Sequence, residues 1–256
     1  MDSDRIGVSN MSTGLQIEQI WRFPVKSLQG ERLATASIDR FGVRGDRQWG
    51  VLDVETGLTL TARRCPPLLF AGARYHEDTD EVELVLPDGH TDLSGYLQRE
   101  VQLVRAASGL KGRFEIAPDF EQEDRSDWIS WEGPAGTFHD SANVSLLSLE
   151  SIAGWDLRRF RANLVTSGGG ENALVGSSVR IGTVEADVLR LIPRCVMVTR
   201  PQPGGIETDL DILRGINKER EGKLAIALRI TNAGTLREGD RVEVVAEENI
   251  METATS

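Results

Sequence analysis

A thiol, a few guanidinium groups and one lysine are the side chains of this sequence whose spacing could do chemistry. Cys195 sits in Leu191–Thr199, which reads Leu-Ile-Pro-Arg-Cys-Val-Met-Val-Thr. Upstream, Val184, Ala186 and Val188 alternate with Glu185 and Asp187, the pattern of a half-buried strand. Pro193 has no N–H for a ladder, so regular pairing stops there and the sulfur falls at a strand end beside Arg194. A thiol at a strand end next to a guanidinium is reachable and partly kept as thiolate, the form that attacks electrophiles and binds soft metals. The same residues also describe a small buried hydrophobe among Leu191, Ile192, Val196 and Val198.

Three other stretches carry charge at turns. In Arg22-Phe23-Pro24-Val25-Lys26-Ser27 the proline ends a strand, leaving Lys26 and Ser27 on the following loop. There an ammonium and a hydroxyl can grip an anion, or simply be solvated. In Gly42-Val43-Arg44-Gly45-Asp46-Arg47-Gln48-Trp49, Asp46 can orient an arginine toward an oxyanion, or form a local ion pair. In Leu157-Arg158-Arg159-Phe160-Arg161-Ala162-Asn163, alternation at a strand entrance sends Arg161 and Asn163 to one face, and Phe160 and Ala162 to the other. Cys65, in Arg63-Arg64-Cys65-Pro66-Pro67, also has basic neighbours, but nothing else there asks for a thiolate. His76, His90 and His139 lack metal-ligand spacing; pairing of His139 with Cys195 depends on distance in space. The Gly168–Gly170 run lacks P-loop spacing, and neither a nucleophile elbow nor a dinucleotide fingerprint occurs.

The elements that must position these groups read as mostly strand: short apolar runs rich in Val, Ile and Thr between turn signals. Strands are expected at Leu15–Phe23, Leu33–Asp39, Gln48–Val54 with Leu58–Ala62 as its hairpin partner, Leu68–Tyr75, Glu81–Leu86 and Val101–Ala106. Residues 15–110 therefore form one β unit. Residues 111–140 are irregular and read as the connection to a second. Leu146–Trp155 reads as a short helix with Leu146, Leu149, Ile152 and Ala153 on one face. Strands follow at Leu164–Thr166, Ser178–Ile181, Val184–Ile192, Lys223–Thr231 and Arg241–Val245, with a helix from a loose capping box at Thr208–Asp211 to Gly215. Met1–Gly14 and Ala246–Ser256 read as flexible ends. The fold class is mainly β (α+β), two barrel-like units with a few short helices.

The 256 residues carry 40 acids against 29 bases, a net charge of −11. That argues against nucleic-acid or anionic-membrane partners, which need a basic surface. No apolar run is long enough for a membrane-spanning helix, and two cysteines suit a reducing cytoplasm. An anionic ligand needs a local cationic cluster inside this acidic chain.

Taken in order, Phe-Pro-Val-Lys-Ser (23–27), Gly-Asp-Arg-Gln-Trp (45–49), Thr-Ala-Arg (61–63), Arg-Phe-Arg-Ala-Asn (159–163), Arg-Cys-Val (194–196) and Gly-Thr-Leu-Arg-Glu-Gly-Asp (234–240) resemble the MOSC family. The branch they resemble is the two-domain one that includes the mitochondrial amidoxime-reducing component and its bacterial relatives. The resemblance implies an N-terminal MOSC-associated barrel (15–110), a MOSC domain (111–247), and a molybdenum cofactor in the cleft between them. It makes Cys195 the molybdenum ligand and catalytic centre. It puts Lys26, Ser27, Arg47, Arg161, Asn163 and Arg194 around the pterin and its phosphate. It implies two-electron reduction of a small N-hydroxylated substrate, with electrons from a separate protein. A persulfide carrier acting through Cys195 and a non-catalytic cofactor carrier are the alternatives. Ile192 stands where many relatives have a second cysteine, so one thiol is available.

Overall fold

The computed structural model describes residues 11–245 apart from positions 108, 120, 141 and 153. Seven strands close into a barrel. Going round it, the order is Leu164–Thr166, Val144–Ser148, Lys223–Asn232, Val184–Pro193, Ser178–Ile181, Arg241–Val244 and Met11–Arg22, which pairs back onto Leu164–Thr166. Every pairing is antiparallel except that of Val144–Ser148 with Leu164–Thr166. The opening strand, read from sequence as part of the N-terminal unit, is thus a stave of the barrel built mainly from the C-terminal half. It also begins earlier than expected: Met11 and Ser12 pair with Val244 and Glu243. Residues 1–10 and 246–256, the rest of the expected flexible ends, lie outside the described residues.

Apolar residues fill both sides of this wall. Leu146, Leu164, Ile226 and Leu228 belong to one core cluster. Their chain neighbours Leu147, Val165, Ala225 and Ala227 pack in a second, against Ile212, Leu213 and Ile216 of a helix spanning Asp211–Arg220. A strand buried on both faces loses its two-residue alternation and reads as a plain apolar run. This is why the helix expected at Leu146–Trp155 is instead the strand Val144–Ser148 followed by a 3₁₀ turn, Glu150–Ile152. Ala153, placed on that helix face, lies outside the described residues.

The helix expected to end at Gly215 runs on to Arg220. Gly215 is internal, and a Cβ there would lie 3.5 Å from the Trp155 indole. Termination falls instead to Glu221 (φ 52°) and Gly222 (φ 74°), both left-handed.

A three-stranded sheet of Thr35–Asp39, Gly42–Val43 and Gly234–Arg237 adds to the first cluster, and two-stranded pieces pack over a third that includes Val25, Leu28, Trp49, Val51, Leu68 and Tyr75. Trp49–Asp53 pairs with Val101–Arg105. Its expected partner Leu58–Ala62 makes only a single bridge, Leu52 to Thr59. Leu68–Tyr75 is split into a 3₁₀ turn, Pro66–Phe70, and a strand, Gly72–His76, because the two prolines favour a turn. The segment expected to be irregular holds a hairpin of Lys111–Ile116 with Ile129–Ala135. Among the described residues, no helix is long and apolar enough to cross a membrane.

Candidate functional site

Each chemical group singled out above sits where an element stops. The Val184–Pro193 strand ends at its proline, and Cys195 follows in extended conformation as the cap of a 3₁₀ turn, Val196–Thr199. The Met11–Arg22 strand ends just before Phe23, whose N–H donates to Asp46 Oδ1 at 2.6 Å. That contact docks the Phe23–Ser27 loop on the Gly45–Trp49 turn. Ser27 (φ 68°), Arg47 (φ 48°) and Arg161 (φ 51°) all have left-handed backbone. Such geometry costs a non-glycine residue about 1–2 kcal/mol and gathers at functional sites. Because Arg161 is left-handed and the strand starts only at Leu164, the alternation expected through 160–163 does not hold. Phe160 faces the same space as Arg161 and Asn163.

These turns meet around one cleft of about 360 Å³ between the barrel and the smaller sheets. Lys26, Ser27, Arg47, Arg161, Asn163, Arg194 and Cys195 all line it. So do Arg63 and Arg159, which makes six cationic side chains among the described residues, against one carboxylate, Asp140. In a chain of net charge −11 this is a strong local inversion.

Some of these side chains are committed to one another. Lys26 Nζ donates to Phe138 O (2.9 Å) and Asp140 Oδ1 (2.7 Å) and sits 4.0 Å from the centre of the Phe114 ring. Ser27 Oγ accepts the Ala62 N–H. Asn163 Oδ1 accepts from the Ser145 N–H and hydroxyl, and its Nδ2 donates to Trp21 O, so its amide clasps three strand ends. Arg159 donates to the carbonyls of Val198, Arg200 and Glu207, pinning the segment after Cys195. Others keep donors in hand: Arg63 Nε, Arg161 Nη2 and Arg194 Nη2 are buried without a hydrogen-bond partner. Unpaired buried donors are costly, so three in one cleft call for an acceptor.

The electrostatics agree. Burial, then the charge of Arg47, pushes Arg161 down to about 9. Burial pushes Arg194 down to about 10 and Lys26 to about 8. All three stay cationic at neutral pH although burial disfavours the charged form, so the cleft holds desolvated positive charge that an anionic ligand would compensate. Arg63 goes the other way. Burial lowers its pKa, but the Cys195 sulfur and Asp140 outweigh it and hold the guanidinium above the ordinary arginine range. Asp140, whose outer edge is wetted by the cleft, is held below the usual carboxylate range by Lys26 and Arg63 against the effect of burial.

Sequence reasoning did not select Arg63 or Asp140. Arg63 bonds Asp140 at 3.0 Å and lines the cleft with Cys195, whose sulfur favours its charge. It comes from a turn far from Cys195 in the chain, and its one signal was the Thr-Ala-Arg triplet. Asp140 had none. His139 also lines the cleft, but both ring nitrogens are taken, Nδ1 by the Thr137 hydroxyl and Nε2 by Asp46 Oδ2 at 2.9 Å. It therefore has no free nitrogen for Cys195. His76 pairs with Glu83 and His90 packs on Tyr96, both away from the cleft. Among the described residues, no three His, Cys, Asp or Glu side chains cluster as a metal site. A metal here could take only the lone thiol and must bring its other ligands with it.

The fold and cleft define a mainly β protein with a thiol in a cationic pocket suited to a polyanion. The MOSC N-terminal beta barrel domain matches residues 14–130 and the MOSC domain matches 136–243, so the chain belongs to the MOSC-domain family, whose domains are associated with binding of the molybdenum cofactor. No curated protein matches the sequence significantly. Among solved structures, the YUAD protein from Bacillus subtilis is 11% identical, with 94% of this chain and 99% of that one aligned at a TM-score of 0.44. A hypothetical protein is 11% identical (93% and 69%, TM-score 0.44). YiiM from Geobacillus stearothermophilus is 13% identical (56% and 77%, TM-score 0.34). At such scores these likenesses carry no argument about activity.

Proposed function

We propose that the cleft binds the molybdenum cofactor, with Cys195 as the protein ligand to the metal, and that the protein reduces N-hydroxylated small molecules. The observation that carries this reading is the set of buried, unpartnered guanidinium N–H groups on Arg63, Arg161 and Arg194 around a lone thiol. A pterin phosphate is a polyanion rimmed with hydrogen-bond acceptors and suits those donors. A soft metal already held by cofactor sulfur needs one thiolate from the protein.

Arg161 and Arg194, with Arg47, hold the anionic part. Lys26 acts at one remove: its ammonium fixes Asp140, and Asp140 fixes Arg63 against Cys195. Ser27 and Asn163 hold the loops in place. When bound, the cofactor supplies two-electron redox chemistry. Cleaving the N–O bond of the substrate takes two electrons and two protons and releases water. The electrons come from a separate electron-transfer protein, and the setting is a reducing cytoplasm.

The test is turnover of an N-hydroxylated amidine by protein made in a cofactor-competent cell, with chemically reduced viologen as donor. The reading expects amidine formation by the wild type and none by Cys195→Ser. Metal without any reduction overturns the reductase. A sulfur-atom adduct on Cys195 in the intact mass, in place of metal, overturns cofactor binding in favour of sulfur transfer.

A further inference from the structure

A second, smaller pocket backs onto the cleft. Its volume is about 190 Å³, room for one ring system rather than the roughly 300–1,000 Å³ of a drug-sized ligand site. Among the described residues, Arg161 is the single residue common to the two spaces. The turn 157–163 divides them: Leu157 and Ala162 face the small pocket, Phe160 and Asn163 the cleft.

Part of the pocket's wall is aromatic, and its polar side chains are Gln29, Gln202, Arg158 and Arg161; Gln29 Nε2 is already donated to Phe70 O at 3.0 Å. Trp21 and Phe23 stand side by side, ring centres 6.3 Å apart and planes 20° from parallel. The indole N–H is already donated to Gln19 Oε1 at 2.9 Å, so Trp21 offers its face and no donor. Gly30 lies against Phe23: a Cβ there would sit 2.6 Å from the ring, so the bare backbone lets that ring take its place in the wall. Opposite is Gln202, 5% exposed, its main chain fixed by a 2.9 Å hydrogen bond to Ile206 O. Its Nε2 is buried and has no partner. The Arg158 guanidinium at the rim is held by Asp156 and Pro203 O and is not free to supply one.

We propose that this pocket is a binding subsite for a planar heteroaromatic ring carrying a hydrogen-bond acceptor. The ring packs on Trp21, beside a Phe23 ring that already carries the Arg161 guanidinium at 4.3 Å, while its acceptor takes the Gln202 amide N–H. A buried, unpartnered donor in a largely apolar wall selects for ligands that satisfy it and against those that do not, and Arg161 Nη2 is a second such donor on the side shared with the cleft. Two sources share this chemistry: a free heteroaromatic amide, or the base of a nucleotide whose phosphate reaches toward Arg161. The inference does not depend on the redox reading of the cleft.

The test uses the full chain and the five tryptophan indole N–H signals in a nitrogen-15 NMR spectrum, with the Trp21 signal identified by its loss in Trp21→Phe. Nicotinamide and adenine are expected to shift the Trp21 signal saturably. Cyclohexanecarboxamide lacks the π-face and toluene lacks the acceptor, so each is expected to bind about fivefold more weakly or worse. Gln202→Leu is expected to weaken nicotinamide by about fivefold and leave toluene unchanged. Tighter binding of AMP than of adenine, lost at high salt, supports the nucleotide source; equal binding supports the free ring. A Trp21 signal unmoved at millimolar nicotinamide overturns the proposal, as does equal binding of cyclohexanecarboxamide. The wild-type ligand series decides even if Gln202→Leu does not fold.

Discussion

The two cysteines hold the same position ahead of a turn and differ in what surrounds it. Each caps a 3₁₀ turn, Cys65 before Pro66–Phe70 and Cys195 before Val196–Thr199. In each the carbonyl accepts an N–H three residues on, from Leu68 and from Val198. Both are half-buried. Yet Cys65 packs at the edge of an apolar cluster, and burial raises its thiol pKa more than the nearby Arg99 lowers it. Cys195 opens onto a cleft walled by six cationic side chains, with Arg63 at its sulfur. The segment that carries Cys65 even contributes Arg63 to the other cysteine. The turn is common to both; the charges that other segments bring to it set the two thiols apart.

The comparison predicts that damage to the cationic wall outweighs damage around Cys65. The largest effect on folding is expected from Asp46→Asn. This carboxylate is fully buried and takes bonds from the Phe23 N–H, Arg47 and His139. Breaking such a network from one side costs about 3–5 kcal/mol, readable as a shift in the urea midpoint. A shift below about 1 kcal/mol would show that the cleft does not depend on it.

Next comes Arg161→Ala, expected to weaken cofactor retention by about 1.5–3 kcal/mol, measured as the rate of metal loss during dialysis. Unchanged retention would put Arg161 outside the site.

Acid supplies a third test. Burial lowers the His139 pKa despite its bond to Asp46, so the unfolded chain takes up a proton that the folded chain refuses. Arg47 and His139 hold Asp46 below the usual carboxylate range against the effect of burial. Both groups bind protons better when unfolded, so stability falls as pH drops below about 6.5 and on through the carboxylate range. Each group contributes at most about 1.4 kcal/mol per pH unit. His139→Gln is expected to flatten the part of the decline between about pH 6.5 and 5. A slope there unchanged by the substitution would contradict the assignment. The smallest effect is expected from Cys65→Ser: within about 1 kcal/mol of wild type in stability, with unaltered metal content.

The site was more legible in the sequence than the scaffold, for a physical reason. Prolines and turn residues at 24, 45 and 193 mark where strands stop, and chemistry gathers at strand ends, so Lys26, Arg47 and Cys195 could be placed without knowing which strands pair. The scaffold hid where burial erased periodicity, as at Leu146 and Leu147, which face opposite cores. It hid again where pairing was long-range: the strand from Met11 finds its partners near residues 165 and 242. Arg63 and Asp140 escaped for the same reason. Their roles exist only through each other and Cys195, and the loops that bring them together leave no local pattern. Asn163 shows the converse, a site-like residue whose amide proves to be a clasp between strands.

The most direct measurement is elemental analysis of the full chain purified from a cofactor-competent cell, comparing wild type, Cys65→Ser and Cys195→Ser. The account predicts molybdenum approaching one atom per chain in the first two and a loss of at least about tenfold in the third, with the metal-free forms of all three melting alike. Wild-type protein free of molybdenum, or Cys195→Ser protein that keeps its full share, would contradict it.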